Sequence, residues 1–195
     1  MTMKKIFSKL TLAMMMTIAC TGFTSCGDDN DEPEAPATWK SSYVVTFELN
    51  DDVISTADIT AHIANPDGTF REEKVTKTEL SWTLTGNKLP DKAGVLITFV
   101  PKKDIDPDKV YEIGIKGNIA VTSLRNDKVV NYKSYGHDSN MTIKGDKLSQ
   151  YYVGRGVGFA HGINADGKLV SVDVDSFDFG LNGLWEWVAG WFAEE

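Results

Sequence analysis

The sequence predicts an all-β domain, an antiparallel sandwich of about 8–10 short strands, and three observations carry that prediction. Apolar residues recur every second position through most of the chain, and turn signals separate the runs at near-regular spacing. Before residue 180 no stretch repeats its apolar residues at helical spacing.

The elements follow in order. Tyr43, Val45, Phe47 and Leu49 alternate with Val44, Thr46 and Glu48, which marks a half-buried strand. Ile59, Ala61 and Ile63 alternate with Asp58, Thr60 and His62 in a second strand, closed by the Asn65-Pro66-Asp67-Gly68 turn. Leu80, Trp82 and Leu84 form one face of a third strand, and Pro90 to Gly94 break the chain after it. Val95 to Val100 is a mostly apolar strand, and 104–108, with Pro107, is a loop. Val110 to Ile115 and Ile119 to Leu124 read as strands separated by Gly114 and Gly117, a pair that suggests a bulge. Arg125-Asn126-Asp127-Lys128 reads as a hairpin turn into Val129 to Tyr135. Met141 to Ile143, Tyr151 to His161, the Asn164-Ala165-Asp166-Gly167 turn and Leu169 to Val174 complete the pattern. Periodicity does not distinguish stacked sheets from a closed sheet, so a calycin-like closed barrel is the alternative.

The C-terminal segment has a different character. Leu181 to Phe192 holds three of the five tryptophans, Trp185, Trp187 and Trp191. As a short amphipathic helix capped by Asn182, it would line up Leu181, Leu184, Trp185, Val188, Trp191 and Phe192. As a strand it would put the three tryptophans on one face. The helix accounts for more of the large residues, although Gly183 and Gly190 weaken it. Gly154, Gly156 and Gly158 would share one face of a strand, and this side-chain-free strip suggests a bulky cover. The tryptophan tail is the expected cover; the alternative is an aromatic platform for sugar rings.

The first forty residues set the address. Lys4, Lys5 and Lys9 precede an apolar run from Leu10 to Ala19, the pattern of a secretory signal. That run is too short to span a bilayer core, which takes about 20 residues. Phe23-Thr24-Ser25-Cys26 resembles the lipobox of bacterial lipoproteins, and Gly27-Asp28-Asp29-Asn30-Asp31-Glu32 resembles the acidic export signal of Bacteroidota-type surface lipoproteins. The resemblance covers the leader and linker and implies lipidation of Cys26 and a place on the outer membrane, facing outward. Cysteine usage agrees: with Cys26 as anchor, Cys20 leaves with the signal and no thiol is stranded. The expected organisation is a signal peptide at 1–25, a lipidated cysteine and acidic tether at 26–40, and a single β-rich domain at 41–195.

Charge bounds the partners. Removing residues 1–25, which carry three lysines and no acid, takes the formal net charge from −8 to −11. Nucleic acid is excluded as a partner, because phosphate binding needs a basic face. Attachment to the membrane would come from the lipid, each buried methylene contributing about 0.8 kcal/mol.

Chemistry leaves few traces. G-x-S-x-G, H-E-x-x-H, a Walker loop and C-x-x-C are absent. Gly154-Arg155-Gly156-Val157-Gly158 does not have dinucleotide spacing, and no catalytic residue or cofactor is predicted. His62 falls on a polar strand face, His161 shares a face with Phe159, and His137 lies in a polar loop fit to line a site. Asp173, Asp175 and Asp178 are weak calcium candidates, since Ca²⁺ takes several oxygen ligands, but they match no EF-hand loop. Trp185, Trp187, Trp191 and His137 are therefore the candidate ligand contacts. The expected function is a non-enzymatic binding or envelope-interaction module, its partner a glycan or an envelope protein. The alternatives are a small glycan-processing hydrolase and a barrel that holds a small apolar ligand.

Overall fold

A computed structural model of the chain describes residues 37–173, 176, 177 and 179, together with the backbone of 186–189. Alternation of apolar and polar residues builds two antiparallel-rich sheets packed face to face, an all-β sandwich and not a closed barrel. The first sheet has the order β4 (Glu79–Gly86), β1 (Trp39–Leu49), β6 (Val110–Arg125), β7 (Lys128–Lys144). The second runs β10 (Glu186–Ala189), β8 (Arg155–Ile163), β5 (Asp91–Pro101), β2 (Ala57–Ala64), β3 (Phe70–Val75), with β9 (Leu169–Ser171) also paired to β8. β1 begins at Trp39, ahead of the expected domain start at residue 41.

The inward rows meet in one core. Tyr43, Val45, Phe47 and Leu49 of β1 and Ile113, Ile115, Ile119 and Val121 of β6 pack against Ala61, Ile63, Val95, Ile97, Val157 and Phe159 of the second sheet. Phe159 is held against Phe47, ring centroids 5.4 Å apart, and its ring lies over Gly117 of β6. A glycine is required there because the opposite sheet comes too close for a side chain.

Several strand boundaries differ from expectation. Val110 to Leu124 is not two strands but the single strand β6, and the register shift sits at Ser123/Leu124, not at the glycines. β7 runs unbroken through the polar stretch expected to be a loop. Its outward row is solvated and its inward row is only half-buried, so polar residues satisfy a strand there. Phe70–Val75 is a further strand whose largely exposed side chains give no apolar alternation.

Two short helices were also missed. α1 (Asp51–Thr56) carries the chain from β1 to β2 and is capped by Asn50, whose side chain accepts from the Val53 N–H at 3.2 Å. α2 (Gly145–Tyr152) buries Leu148 and Tyr152, four positions apart on one face, where a strand was expected from Tyr151. The Tyr152 hydroxyl lies 2.9 Å from that of Thr56, tying the two helices together, and its ring stacks on Phe99. Among the described residues no helix is long and apolar enough to cross a membrane.

Two turns follow the sequence closely. Asn126 and Asp127 take φ of 50° and 61°, the left-handed pair of a two-residue hairpin. Gly167 (φ 76°) closes the β8–β9 hairpin against the ring of Trp39, and its carbonyl accepts from Ser123 Oγ (2.7 Å) and Asn131 Nδ2 (2.8 Å).

Candidate functional site

The tryptophan tail is partly a strand. Glu186–Ala189 pairs in parallel with β8, Trp187 beside Gly156 and Ala189 beside Gly158, which corrects the helix expected through this segment. Gly183 and Gly190 flank it and weaken a helix, while the free edge of β8 offers a ladder. Trp185 and Trp191 lie outside the described residues. The glycine strip is shorter than expected, since Gly154 is in the turn after α2. Leu96 of β5 leans across Gly156 and Gly158, so the strip is filled from the neighbouring strand. The outer face of the second sheet is also covered by Phe177, which packs on Ala64, Leu96 and Ala160, with Val172 and Phe179 beside it.

His137 is in β7, not in a loop, at the position paired with Gly117. It is half-buried, as are Tyr135, Ser139 and Ile143 along the same row. Asp173 is exposed, and Asp175 and Asp178 lie outside the described residues. Among the described residues no group of three or more His, Cys, Asp or Glu is placed to hold a metal.

The other histidines are buried. His62, expected on a solvated face, is on the outer side of β2 beneath Phe179, ring centroids 6.2 Å apart. Its Nε2 lies 3.0 Å from Thr98 Oγ1 and its Nδ1 3.0 Å from Glu72 Oε1. Burial lowers its pKa, and Glu72 only partly opposes this. His161, 1% exposed, sits against the Tyr135 ring, and burial and then Lys133 push its pKa down.

A polar cluster that sequence reading missed lies where β1 meets β5. Asp91 accepts from the hydroxyls of Ser41 and Tyr43, the latter at 2.7 Å, and both donors are almost wholly buried. Burial raises the Asp91 pKa despite the two hydrogen bonds, and raises that of Tyr43, whose proton is held between ring and carboxylate. Ser41 has no path to a substrate at 2% exposure, so the cluster is a tie between sheets and not a nucleophile with its base. At the opposite flank Trp82 Nε1 donates to Glu73 Oε2 at 2.9 Å, joining β4 to β3.

Exposed apolar residues occur on both sheets, Phe70, Val100 and Val170 on the second among them, and the first sheet adds an accessible outer face. Its outer face carries three cross-strand rows without charge: Thr85, Ser42, Thr122 and Tyr132; Thr83, Val44, Ala120 and Ser134; Ser81, Thr46, Asn118 and Gly136. At its edge, β7 exposes Val129, Val130, Tyr132 and Met141. No protein-family model matches the chain, and no curated protein matches it.

Proposed function

We propose that the chain is a lipoprotein anchored through Cys26 in the outer membrane and displayed on the cell surface, where its sandwich is a non-enzymatic binding or envelope-interaction module. The observation that carries the anchor is the order of signals: Lys4, Lys5 and Lys9, the apolar run, Phe23 to Cys26, then Asp28, Asp29, Asp31, Glu32 and Glu34. The geometry favours binding over catalysis because the buried titratable groups serve packing. Asp91 ties two strands, and His62 and His161 are enclosed by aromatic rings. The three uncharged central rows of the first sheet and the β7 edge are accessible. A glycan or an envelope protein suits such a surface on an acidic chain; nucleic acid does not.

Metabolic labelling with palmitate is the direct test. Incorporation is expected in the parent and in Cys20→Ala and lost in Cys26→Ala; retained label in Cys26→Ala would overturn the anchor. Release of reducing sugar from envelope or dietary polysaccharide, abolished by changing two facing carboxylates, would replace the binding reading with the hydrolase.

A further inference from the structure

β7 is the outer strand of its sheet, and among the described residues no strand pairs with its far side. It is 17 residues long, has no proline, and pairs with β6 along its length. A bare edge of that length is unusual, because unpaired N–H and C=O groups template further pairing. Folded proteins commonly shorten such edges, kink them or place proline or lysine in them, and β7 uses lysine alone. The one irregularity is the register shift opposite Ser123/Leu124, close to the start of β7.

The edge also has a charge of its own. β7 holds Lys128, Lys133 and Lys144 against the single acid Asp138, in a chain whose formal net charge is −8. Asp138 is engaged by Lys116 at 3.8 Å and Lys144 by Asp108 at 3.1 Å. Lys128 and Lys133 are exposed in the stretch that holds Val129, Val130 and Tyr132, with Lys133 Nζ 4.8 Å from the centre of the Tyr135 ring. Two copies pairing edge to edge about Gly136 would set Lys128 of each against Lys144 of the other, and like charges directly opposite are unfavourable. An acidic strand meets no such penalty.

We infer that the free edge of β7 takes an acidic, extended segment of a partner protein as a fifth strand of the first sheet. This rests on the interaction-module reading and names the partner's chemistry. Main-chain hydrogen bonds supply the attraction, Lys128 and Lys133 select the sign of charge, and Val130 and Tyr132 offer apolar contact to alternate side chains.

The test is a heteronuclear NMR titration of the mature chain from Gly27 with an eight-residue peptide alternating Glu and Val. Controls are the Lys/Val peptide and the Glu/Val peptide N-methylated at alternate amides. Shift changes confined to β7 and β6 are expected, with the acidic peptide bound at least ten-fold more tightly than the basic one. N-methylation should abolish binding, and Lys128→Glu with Lys133→Glu should weaken it ten-fold or more. Equal binding of the two peptides, binding that survives N-methylation, or shifts centred elsewhere would overturn the inference. So would tighter binding by a chain whose tether acids are neutralised (Asp28, Asp29 and Asp31 to Asn, Glu32 and Glu34 to Gln), since the tether would then be the occupant. None of these outcomes bears on palmitate at Cys26, so failure here and failure of the anchor are separate results.

Discussion

Replacing Gly117 with alanine tests how closely the two sheets approach. Gly117 pairs with Phe47 on one side and His137 on the other, and Phe159 from the opposite sheet covers it. A Cβ at Gly117 would lie 2.4 Å from Phe159 Cε2 and 3.0 Å from Phe47 Cδ1. Carbon atoms in contact rest at about 3.5–4.0 Å, so the ring must retreat by about 1 Å. Phe159 is only 2% exposed and already abuts Phe47. Overpacking of this kind costs about 1–3 kcal/mol. Phe159→Leu alone removes the ring atoms nearest Gly117 and leaves a cavity, at less than the about 3–5 kcal/mol of a Phe→Ala change. Combined, the alanine methyl occupies space the ring has vacated. The double variant should therefore be more stable than the sum of the two single losses predicts, by about 1 kcal/mol or more. Urea denaturation followed by tryptophan fluorescence, with comparable m-values across the four proteins, measures this directly. Losses that add to within about 0.5 kcal/mol would refute the placement of Phe159 over Gly117, and with it the packing of β6 against β8.

Four further outcomes follow from the structure. Gly167→Ala places a Cβ 2.3 Å from the Trp39 ring at a φ of 76°; a loss of about 1–3 kcal/mol and a shifted Trp39 emission are expected, and parental values for both would contradict the contact. Asp91→Ala strips the buried hydroxyls of Ser41 and Tyr43 of their acceptor, at about 1–3 kcal/mol each, less what is regained by removing a partly buried carboxylate. The raised pKa of Asp91 means that its stabilisation is complete below the unfolded carboxyl value and is lost as pH rises through the folded one. Asp91→Asn, which keeps an acceptor, should thus gain on the parent between pH 4 and 7 in urea titrations, and a loss over that range would count against the argument. His62 and His161 have lowered values, so the folded state gains stability as pH rises through about 6.5, by at most about 1.4 kcal/mol per pH unit for each. Urea midpoints should fall from pH 7.5 to 5.5, less so in His161→Gln, and a rising midpoint is the contrary result. Ending the chain at Gly180 removes β10 from the edge of β8; losing about 1 kcal/mol would lower the melting temperature by about 2–4 °C, whereas an unchanged melt would mean that the pairing adds nothing.

Legibility from sequence tracked how completely each residue row is buried. β1, β2, β4 and β5 announce themselves because one or both rows are apolar, as with Tyr43, Val45, Phe47 and Leu49. β3 and β7 were misread because an edge strand keeps little of its surface in the core, which lets Lys, Asp, Ser and His occupy positions that read as loop. The Asn126-Asp127 turn was legible because those residues accept positive φ. The Ser41–Tyr43–Asp91 cluster was not, since Asp91 is separated from Tyr43 by most of β1 and all of β2, β3 and β4, and sequence spacing carries no trace of the approach. Nor did the sequence show that His62, on the nominally polar face of its strand, would be roofed by Phe179 from a segment more than a hundred residues later.

That roof distinguishes the outer faces of the two sheets. Phe177 and Phe179 lie on the outer face of the second sheet, and Lys92 Nζ donates to the Ser176 carbonyl at 2.9 Å. The first sheet has no such cover among the described residues, and its three central rows carry no charge although the chain as a whole is strongly acidic. The chain comes into this sheet at Thr38, whose N–H donates to Asn126 Oδ1 at 2.9 Å, at the turn from which β7 starts. From that corner β7 extends on the order of 50 Å at about 3.3 Å per residue, and its Lys144 end is the part farthest from Thr38. The long free edge therefore lies on the sheet whose outer face Phe177 and Phe179 leave uncovered.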